Sequence, residues 1–168
     1  MEPIIMISQE IVNFCAIECR LQQSGELSVA RMINAWLYAQ DISEDFEWVD
    51  GAASFANRAP TVSDVLNLGK LVEPDDNALG FRTVGVQVGY DVKMDWKLVP
   101  GQMVNLMENQ GNLKPEEFFK EFEECHPFRD GNGRTGVILF NWLNDTLDHP
   151  VWAPNFWNDP RRRIGFGA

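Results

Sequence analysis

The chain has few cysteines, few basic residues and no long apolar run. Its 168 residues include three cysteines and two histidines, and 14 lysines and arginines stand against 25 aspartates and glutamates. Three cysteines do not suit a disulfide scaffold, which favours a reducing cytoplasm. A net charge of −11 disfavours nucleic acid or an anionic membrane as a partner, because phosphate groups are bound through lysine and arginine. The longest apolar stretch, 137–143, is too short to span a bilayer.

Three other short segments have modest interpretations. Cys15 and Cys19 lie one helical turn apart and could share a metal, but no second pair of ligands is near, so small buried core residues are the better interpretation. Arg161–Arg163 is interpreted as a solvated tail. Residues 1–6 are apolar but have no basic lead, so they are not expected to be a secretory signal.

Apolar periodicity predicts a mainly helical domain with one small hairpin. Six helices are predicted. The first follows Ser8, the second covers 28–40, and the third starts at a capping pair of Thr61 and Asp64. The next two start at Pro100 and at Pro115, and the last covers 132–147 as the central buried helix. Gly80–Gly89 alternates glycine with apolar residues, which predicts a hairpin and is the only β signal. The mixed segment 41–60 is left without a predicted structure.

The segment whose residue types could carry out catalysis is 126–134, His-Pro-Phe-Arg-Asp-Gly-Asn-Gly-Arg. It precedes a predicted helix, whose free N–H groups attract anions. Gly131 and Gly133 let a phosphate approach the backbone, and Arg134 offers a planar fork for it. Asp130 is a candidate Mg²⁺ ligand, or alternatively a helix cap. His126 suits the acceptance of a proton near neutral pH.

The same segment also contains the pattern G-x-G-x-x-G at 131–136, which is typical of dinucleotide binding. That signal requires a strand immediately before it. Here the preceding residues, 118–125, have helical spacing and are followed shortly by Pro127. A Rossmann-type site is therefore rejected.

The segment His-Pro-Phe-x-Asp-Gly-Asn-Gly-Arg resembles the signature of the Fic family, over roughly 61–147. The resemblance implies a Fic-like helical bundle with one small β-hairpin flap. It divides a single domain, 1–168, into a helical extension (1–58), a Fic core (59–147) and a tail (148–168).

The resemblance also implies roles for individual residues. His126 would be the general base, Phe128 the core anchor and Asp130 the Mg²⁺ ligand. Gly131, Asn132 and Gly133 would form the anion hole, and Arg134 would bind phosphate. Phe81, Arg82 and Thr83 would belong to a flap that holds the target segment. The implied reaction is transfer of AMP, or another nucleoside monophosphate, from a nucleotide such as ATP to a serine, threonine or tyrosine of a target protein.

One position departs from the family pattern, because its closing arginine corresponds to Val137. Two alternatives to AMP transfer follow: a Doc-like phosphotransferase or another phosphodiester-donor transferase, and a degenerate scaffold that only binds. The inhibitory pattern of the family is absent; Ser43 with Glu47 comes nearest, but Trp48 follows. An antitoxin partner stays open, and is less expected without the second arginine.

Overall fold

The computed structural model describes residues 7–162, apart from the side chains of residues 46, 47, 54 and 55. Residues 1–6, Arg163 and the side chain of Glu47, on which three of the sequence interpretations depend, are therefore not described. Within the described range the chain is mainly helical, as predicted. The helices are α1 (Gln9–Leu21), α2 (Glu26–Ser43), α3 (Val62–Val72), α4 (Val99–Asn109), α5 (Pro115–Cys125) and α6 (Asn132–Leu143). The strands are β1 (Glu44–Val49), β2 (Ala52–Asn57), β3 (Gln87–Val88) and β4 (Asp91–Val92). No helix in the described range is long and apolar enough to cross a lipid bilayer.

Helix α6 is the centre of the core, as its sequence predicts. All residues from Arg134 to Trp142 are buried, and α2, α3 and α5 pack against the helix. The predicted continuation to residue 147 is wrong, because the helix ends at Leu143 and Asp145 takes a φ of +56°. The amide of Asn141 then fixes the returning chain, since its Oδ1 accepts from the Val151 N–H at 2.9 Å.

Helices α1 and α2 contribute to this same core. Met32 and Trp36 on α2 are fully buried, and the Trp36 indole N–H donates to the carbonyl of Leu147 at 2.8 Å. Cys15 and Cys19 on α1 are buried free thiols, as expected for core residues. Burial raises the pKa of Cys15 to about 12, which keeps this thiol protonated and unsuited to metal binding.

The predicted capping pair at the start of α3 is confirmed. The Asp64 N–H donates to Thr61 Oγ1 at 3.2 Å, and the Thr61 N–H donates to Asp64 Oδ2 at 2.8 Å. This reciprocal arrangement satisfies two of the free N–H groups at the helix start. It also fixes where α3 begins, and α3 in turn packs on α6.

Segment 41–60 contains a hairpin, so the expectation of a single hairpin is corrected. Strands β1 and β2 pair antiparallel, with Val49 opposite Ala52. The two residues between them, Asp50 and Gly51, have φ values of +52° and +79°. Positive φ at both central residues is the geometry of a type I′ turn, for which Asp-Gly is a strong sequence signal. That dipeptide marked a hairpin and not merely a break.

The second hairpin lies later in the chain than predicted. Strands β3 and β4 are two residues each, and Val88 opposite Asp91 closes the turn. Residues 81–84 are not part of it. The Arg82 N–H donates to the carbonyl of Pro127 at 2.9 Å, which draws this stretch onto the loop between α5 and α6.

Gly69 on α3 is the point where that loop contacts the core most closely. A Cβ added at Gly69 would lie 2.3 Å from two atoms of the Phe128 ring. Phe128 is fully buried and also contacts Phe81, with ring centroids 5.5 Å apart. The absence of a side chain at residue 69 therefore determines how deep the loop can sit.

Replacing Gly69 with alanine is expected to lower the free energy of unfolding by about 1–3 kcal/mol, because the Phe128 ring must move. Gly101→Ala in α4 is the matched control, since a Cβ there meets nothing within 4 Å. Alanine in an exposed helix is expected to stabilise by up to about 1 kcal/mol relative to glycine. Urea unfolding of both variants measures the difference. Equal stabilisation by the two substitutions would contradict the close contact.

Candidate active site: the loop between α5 and α6

The loop between α5 and α6 begins at His126 in a left-handed conformation, with φ +50° and ψ +63°. The His126 N–H donates to the Phe122 carbonyl at 2.9 Å and so ends α5. Glycine is the usual residue in this helix-ending conformation, and a histidine there carries a backbone strain of about 1 kcal/mol or more. Strained residues of this kind cluster at functional sites. Residues 126–134 are called the anion loop below.

The loop is fixed from beneath by two asparagines. Asn132 Oδ1 accepts from the Phe128 N–H, and Asn132 Nδ2 donates to the Phe128 carbonyl, both at 2.8 Å. Its side chain is thus used within the loop, and only its backbone N–H is left for an anion. Asn77 Nδ2 donates to the carbonyl of Asp130 at 2.9 Å. The sequence analysis did not identify Asn77, and no motif around it would have done so.

Arg82 also holds the loop, which corrects its assignment to the target-binding flap. Its side chain donates to the carbonyls of His126 at 2.7 Å, Val84 at 2.9 Å and Met94 at 2.7 Å. Only 3% of Arg82 is exposed, so it is not accessible to a target segment. Of its predicted flap partners, Phe81 packs on Phe128 and Thr83 is exposed.

Arg134 lies on the first turn of α6 and its guanidinium is only partly paired. Nη2 lies 2.8 Å from Glu73 Oε1, and the two side chains are 4% and 12% exposed. Arg134 Nε and Nη1 are buried and have no hydrogen-bond partner in the described part of the chain. Buried N–H groups of a charged side chain are costly to leave unpaired. A phosphate in the adjoining pocket would supply the missing acceptors.

The His126 imidazole is set up to be neutral. Burial is the main cause that lowers its pKa to about 4, and the positive charges of Lys93 and Arg82 act in the same direction. Nδ1 lies 3.3 Å from the carbonyl of Glu123, which favours a proton on Nδ1. The Nε2 lone pair is then available to take a proton at any pH above about 5.

These groups line a pocket of about 720 Å³. Its walls come from the anion loop, the β3–β4 hairpin, Gln22 just after α1, and segment 153–162. Val137 also lines the pocket and is 1% exposed, so it contributes an apolar surface where the family pattern has an arginine. Positive and negative side chains both face the cavity, among them Lys93, Arg129 and Glu123.

Asp130 can reach a metal but also has a structural role. Its side chain is 59% exposed, and Oδ1 accepts from the Gly131 N–H at 2.7 Å. One oxygen each from Glu73, Asp76 and Asp130 lie within 4.8 Å of one another. Mg²⁺ needs only one or two carboxylates and takes its other ligands from water and phosphate. Of these three carboxylates only Asp130 lines the pocket, so it is the donor that fits Mg²⁺ bound together with a phosphate.

Glu123 is a pocket residue that the sequence analysis missed. It lies on α5 one turn before His126, so helical spacing would have placed both on one face. Its Oε1 has neither solvent contact nor a hydrogen-bond partner in the described range, and burial raises its pKa to about 7. The positive charges of Lys93 and Arg162 oppose that increase. Near neutral pH this carboxyl is therefore close to half protonated.

Glu123→Gln is expected to change how stability depends on pH. A folded-state pKa near 7, above the ordinary value of 4.5, means that the folded protein binds more protons between these pH values. Its contribution to stability is thus lost as the pH rises through that window. The variant should gain on the order of 1–3 kcal/mol relative to the unsubstituted protein between pH 4.5 and 8.

Urea unfolding across this pH range measures the effect. Glu124→Gln is the control, because Glu124 is exposed on the same helix and should show no such trend. A difference that does not depend on pH would contradict the raised pKa.

The last two residues of the described range correct the interpretation of the arginine cluster. Arg161 is exposed and pairs with Asp159 at 2.7 Å. Arg162, in contrast, turns inward and forms an ion pair with Glu18, whose side chain is fully buried. The Arg162 side chain is 21% exposed. A solvated tail therefore describes Arg161 and does not describe Arg162.

Two of the comparisons with known proteins found matches. The sequence profile of the Fic/DOC family matches residues 64–144. Seventeen chains of solved structures match, among them a Fic family protein from Desulfovibrio desulfuricans G20 with 20% sequence identity and a TM-score of 0.45. That alignment covers 87% of this chain and 60% of the other, so this chain spans about 60% of that protein. No curated protein matches the chain.

Proposed function

Because this chain belongs to the Fic/DOC family through residues 64–144, we propose that it transfers AMP, or another nucleoside monophosphate, from a nucleoside triphosphate to a hydroxyl group of a protein. The single observation that supports this most is the pairing of two features at one pocket. His126 has a neutral imidazole whose Nδ1 faces the Glu123 carbonyl, and Arg134, eight positions later, has buried N–H groups without acceptors in the described part of the chain. A base beside an incomplete anion site suits attack of a hydroxyl on phosphorus.

Each residue of the pocket has a separate role in the proposed transfer. His126 Nε2 takes the proton of the acceptor hydroxyl as its oxygen forms a bond to the α-phosphorus. The bond from that phosphorus to the leaving pyrophosphate breaks, and the pyrophosphate departs with its negative charge. The N–H groups at the start of α6 and the Arg134 guanidinium stabilise the charge on the phosphoryl oxygens. Mg²⁺, held by Asp130, would neutralise phosphate charge when bound.

The target segment is proposed to bind along the β3–β4 hairpin, with Thr83 near its base. Val88, Tyr90 and Val92 on this hairpin are exposed, and Val86 and Val88 also line the pocket. An extended segment could add to so short a strand pair through backbone hydrogen bonds. An antitoxin is a further possible partner within the same proposal.

The cytoplasm is the compartment proposed for this activity. Cys15, Cys19 and Cys125 are free thiols buried in the core. A reducing compartment keeps such thiols unpaired. The donor nucleotide and Mg²⁺ are abundant in the same compartment.

One observation favours a second candidate, transfer of a single phosphate. Val137 leaves the pocket wall beyond Arg134 without a charge at that position. A donor bound in another orientation would present its terminal phosphorus to the acceptor, and the same base and anion loop would then move a phosphate.

The experiment is an intact-mass measurement. The purified chain is incubated with Mg²⁺ and a panel of nucleotides, alone and in a host lysate. A gain of one AMP on any protein, lost in a His126 variant, supports the first function. A gain of one phosphate supports the second. No gain with any donor, alongside measurable nucleotide binding, would reject both and leave a binding module.

Asp130→Ala is expected to remove the Mg²⁺ dependence of nucleotide binding, because the carboxylate is the metal ligand. Adding Mg²⁺ should then improve affinity by less than about twofold, against at least about tenfold (about 1.4 kcal/mol) for the unsubstituted protein. Titration calorimetry with and without Mg²⁺ measures this. Asp130→Asn keeps an oxygen that can accept from the Gly131 N–H, so it separates the two roles. Full Mg²⁺ dependence in that variant would make Asp130 a cap only.

A further inference from the structure

Segment 153–162 forms a wall of the pocket that comes from outside the family-matched residues. It follows the loop that Asn141 holds against α6, and it brings Trp157, Arg161 and Arg162 to the cavity. The sequence analysis gave this stretch no role. Its contact with α1 is the pair formed by Arg162 and Glu18.

Arg162 is fixed by a fork of two hydrogen bonds. Its Nη1 donates to Glu18 Oε1 at 2.8 Å and its Nη2 donates to Glu18 Oε2 at 2.9 Å. Glu18 is completely buried, and its Oε2 also accepts from Gln22 Nε2 at 2.8 Å. A bidentate pair fixes the plane of the guanidinium. It uses two of the five N–H donors of Arg162, and the other three take no part in the pair.

This arrangement is connected to the anion loop through one side chain. The Gln22 amide that binds Glu18 also lies against Gly133, where an added Cβ would meet Gln22 Oε1. Two side chains therefore link Arg162 to the backbone of the anion loop. Both Gly133 and Arg162 line the same pocket.

Stability alone does not account for the position of Arg162 at the pocket wall. A buried ion pair contributes little net stability, because its desolvation cost is comparable to its attraction. Here the pair is built at the wall of a cavity, and the cation is the partly exposed member. The anion loop itself supplies two guanidinium groups to the pocket, those of Arg129 and Arg134, and Val137 supplies none. A chain of two or three phosphates would carry more negative charge than the loop alone can neutralise.

We propose that Arg162, positioned by Glu18, is a second phosphate-binding arginine of this pocket and selects nucleotides that carry a polyphosphate chain over those with one phosphate. This inference rests on the proposed function, since it names which donors the same site prefers. Arg162 is a specificity residue that acts by binding. Glu18 is a positioning residue that acts through it.

The test compares two ligands in one variant. Arg162→Ala alone would leave the Glu18 carboxylate buried without its partner, so the variant of choice is Glu18→Gln combined with Arg162→Gln, which keeps a hydrogen-bonded pair without charge. Titration calorimetry measures affinity for ATP and for AMP, each with Mg²⁺. The expected result is a fall of about 10–100-fold for ATP and a change below about twofold for AMP. Thermal melting verifies that the variant is folded.

A second variant and a control sharpen the result. Arg162→Lys keeps the charge and loses the fork, and is expected to weaken ATP binding by a smaller factor than the double variant. Arg20→Gln removes the same charge from an exposed position on α1 and should leave both affinities unchanged. An unchanged ATP affinity in the double variant, or an equal loss for ATP and AMP, would overturn the inference.

The outcomes distinguish this inference from the proposed function. If the double variant binds ATP normally while a His126 variant loses transfer, Arg162 has no such role and the function stands. If no donor supports transfer but the double variant loses affinity for ATP alone, the site is a polyphosphate-binding site and the proposed transfer is wrong.

Discussion

Replacing His126 with asparagine is expected to lower the rate of group transfer by about 10²–10⁴-fold, the typical contribution of a positioned general base. Asparagine tolerates the left-handed backbone of this position and cannot accept the proton. Nucleotide affinity should stay within about twofold, because the proposed phosphate-binding groups are Arg134 and the N–H groups at the start of α6. Self-labelling kinetics and titration calorimetry on the same preparation measure the two quantities.

The chain provides its own control for this substitution. His149 is the other histidine, is exposed and pairs with Glu10 at 3.1 Å, so His149→Asn should leave the rate unchanged. The pH profile offers a further check. With a pKa near 4, His126 stays unprotonated through the range from pH 7.5 to 5.5. Unchanged turnover in His126→Asn, or a loss of kcat/KM that follows protonation of His126 near pH 6.5, would contradict the role of this neutral imidazole.

Arg134→Gln is expected to have two large effects that can be separated. Nucleotide affinity should fall by about 10–100-fold, because each hydrogen bond to a charged group contributes about 1.5–3 kcal/mol. The free energy of unfolding should also fall by about 3–5 kcal/mol, because Glu73 is left as a buried carboxylate without its closest partner. Calorimetry and urea unfolding measure the two effects independently.

The double variant Glu73→Gln with Arg134→Gln separates binding from stability. It removes both buried charges, so stability should largely recover, while the loss of nucleotide affinity should remain. Arg20→Gln again serves as the control for a change of net charge alone. Recovery of affinity together with stability would mean that Arg134 only supports the fold.

The local signals in the sequence predicted the parts of the fold that local interactions determine. Thr61 and Asp64 cap each other across a single helical turn, and Pro115 is the first residue of α5 as expected. The position of the anion loop between two helices follows from the same kind of signal. In each case the residues that determine the structure lie within a few positions of one another.

The failures have a different physical origin. Gly80–Gly89 has the alternation of a hairpin, but the hydrogen bonds from Arg82 to the anion loop prevent residues 81–84 from pairing as strands. No pattern around Arg82 reveals that one of its partners, His126, lies 44 positions away. Asp50-Gly51 is the opposite case, because its turn signal was present and was given too little weight.

Only the charged residues within the motif could be predicted from the sequence as parts of the site. The motif indicates Arg134 and Asp130, whereas Glu73 lies just after α3 and becomes a neighbour of Arg134 only when the core forms. Glu123 lies one helical turn before His126, so its position, unlike its pKa, follows from local spacing. The raised pKa of Glu123 and the lowered pKa of His126 result from burial, which depends on the packing of α5 against α6. Sequence spacing alone contains no measure of that burial.

The pairing of Glu18 with Arg162 has a consequence for the synthesis of the protein. The two residues are separated by 144 positions, so the wall that they form is completed only after nearly all of the described chain has been made. At ribosomal rates of 5–20 residues per second, that interval is roughly 7–30 s. The anion loop is complete at Arg134, so the last 28 of these positions, roughly 1.4–5.6 s of synthesis, separate it from Arg162. A nascent chain would therefore complete the anion loop before it completes the nucleotide pocket.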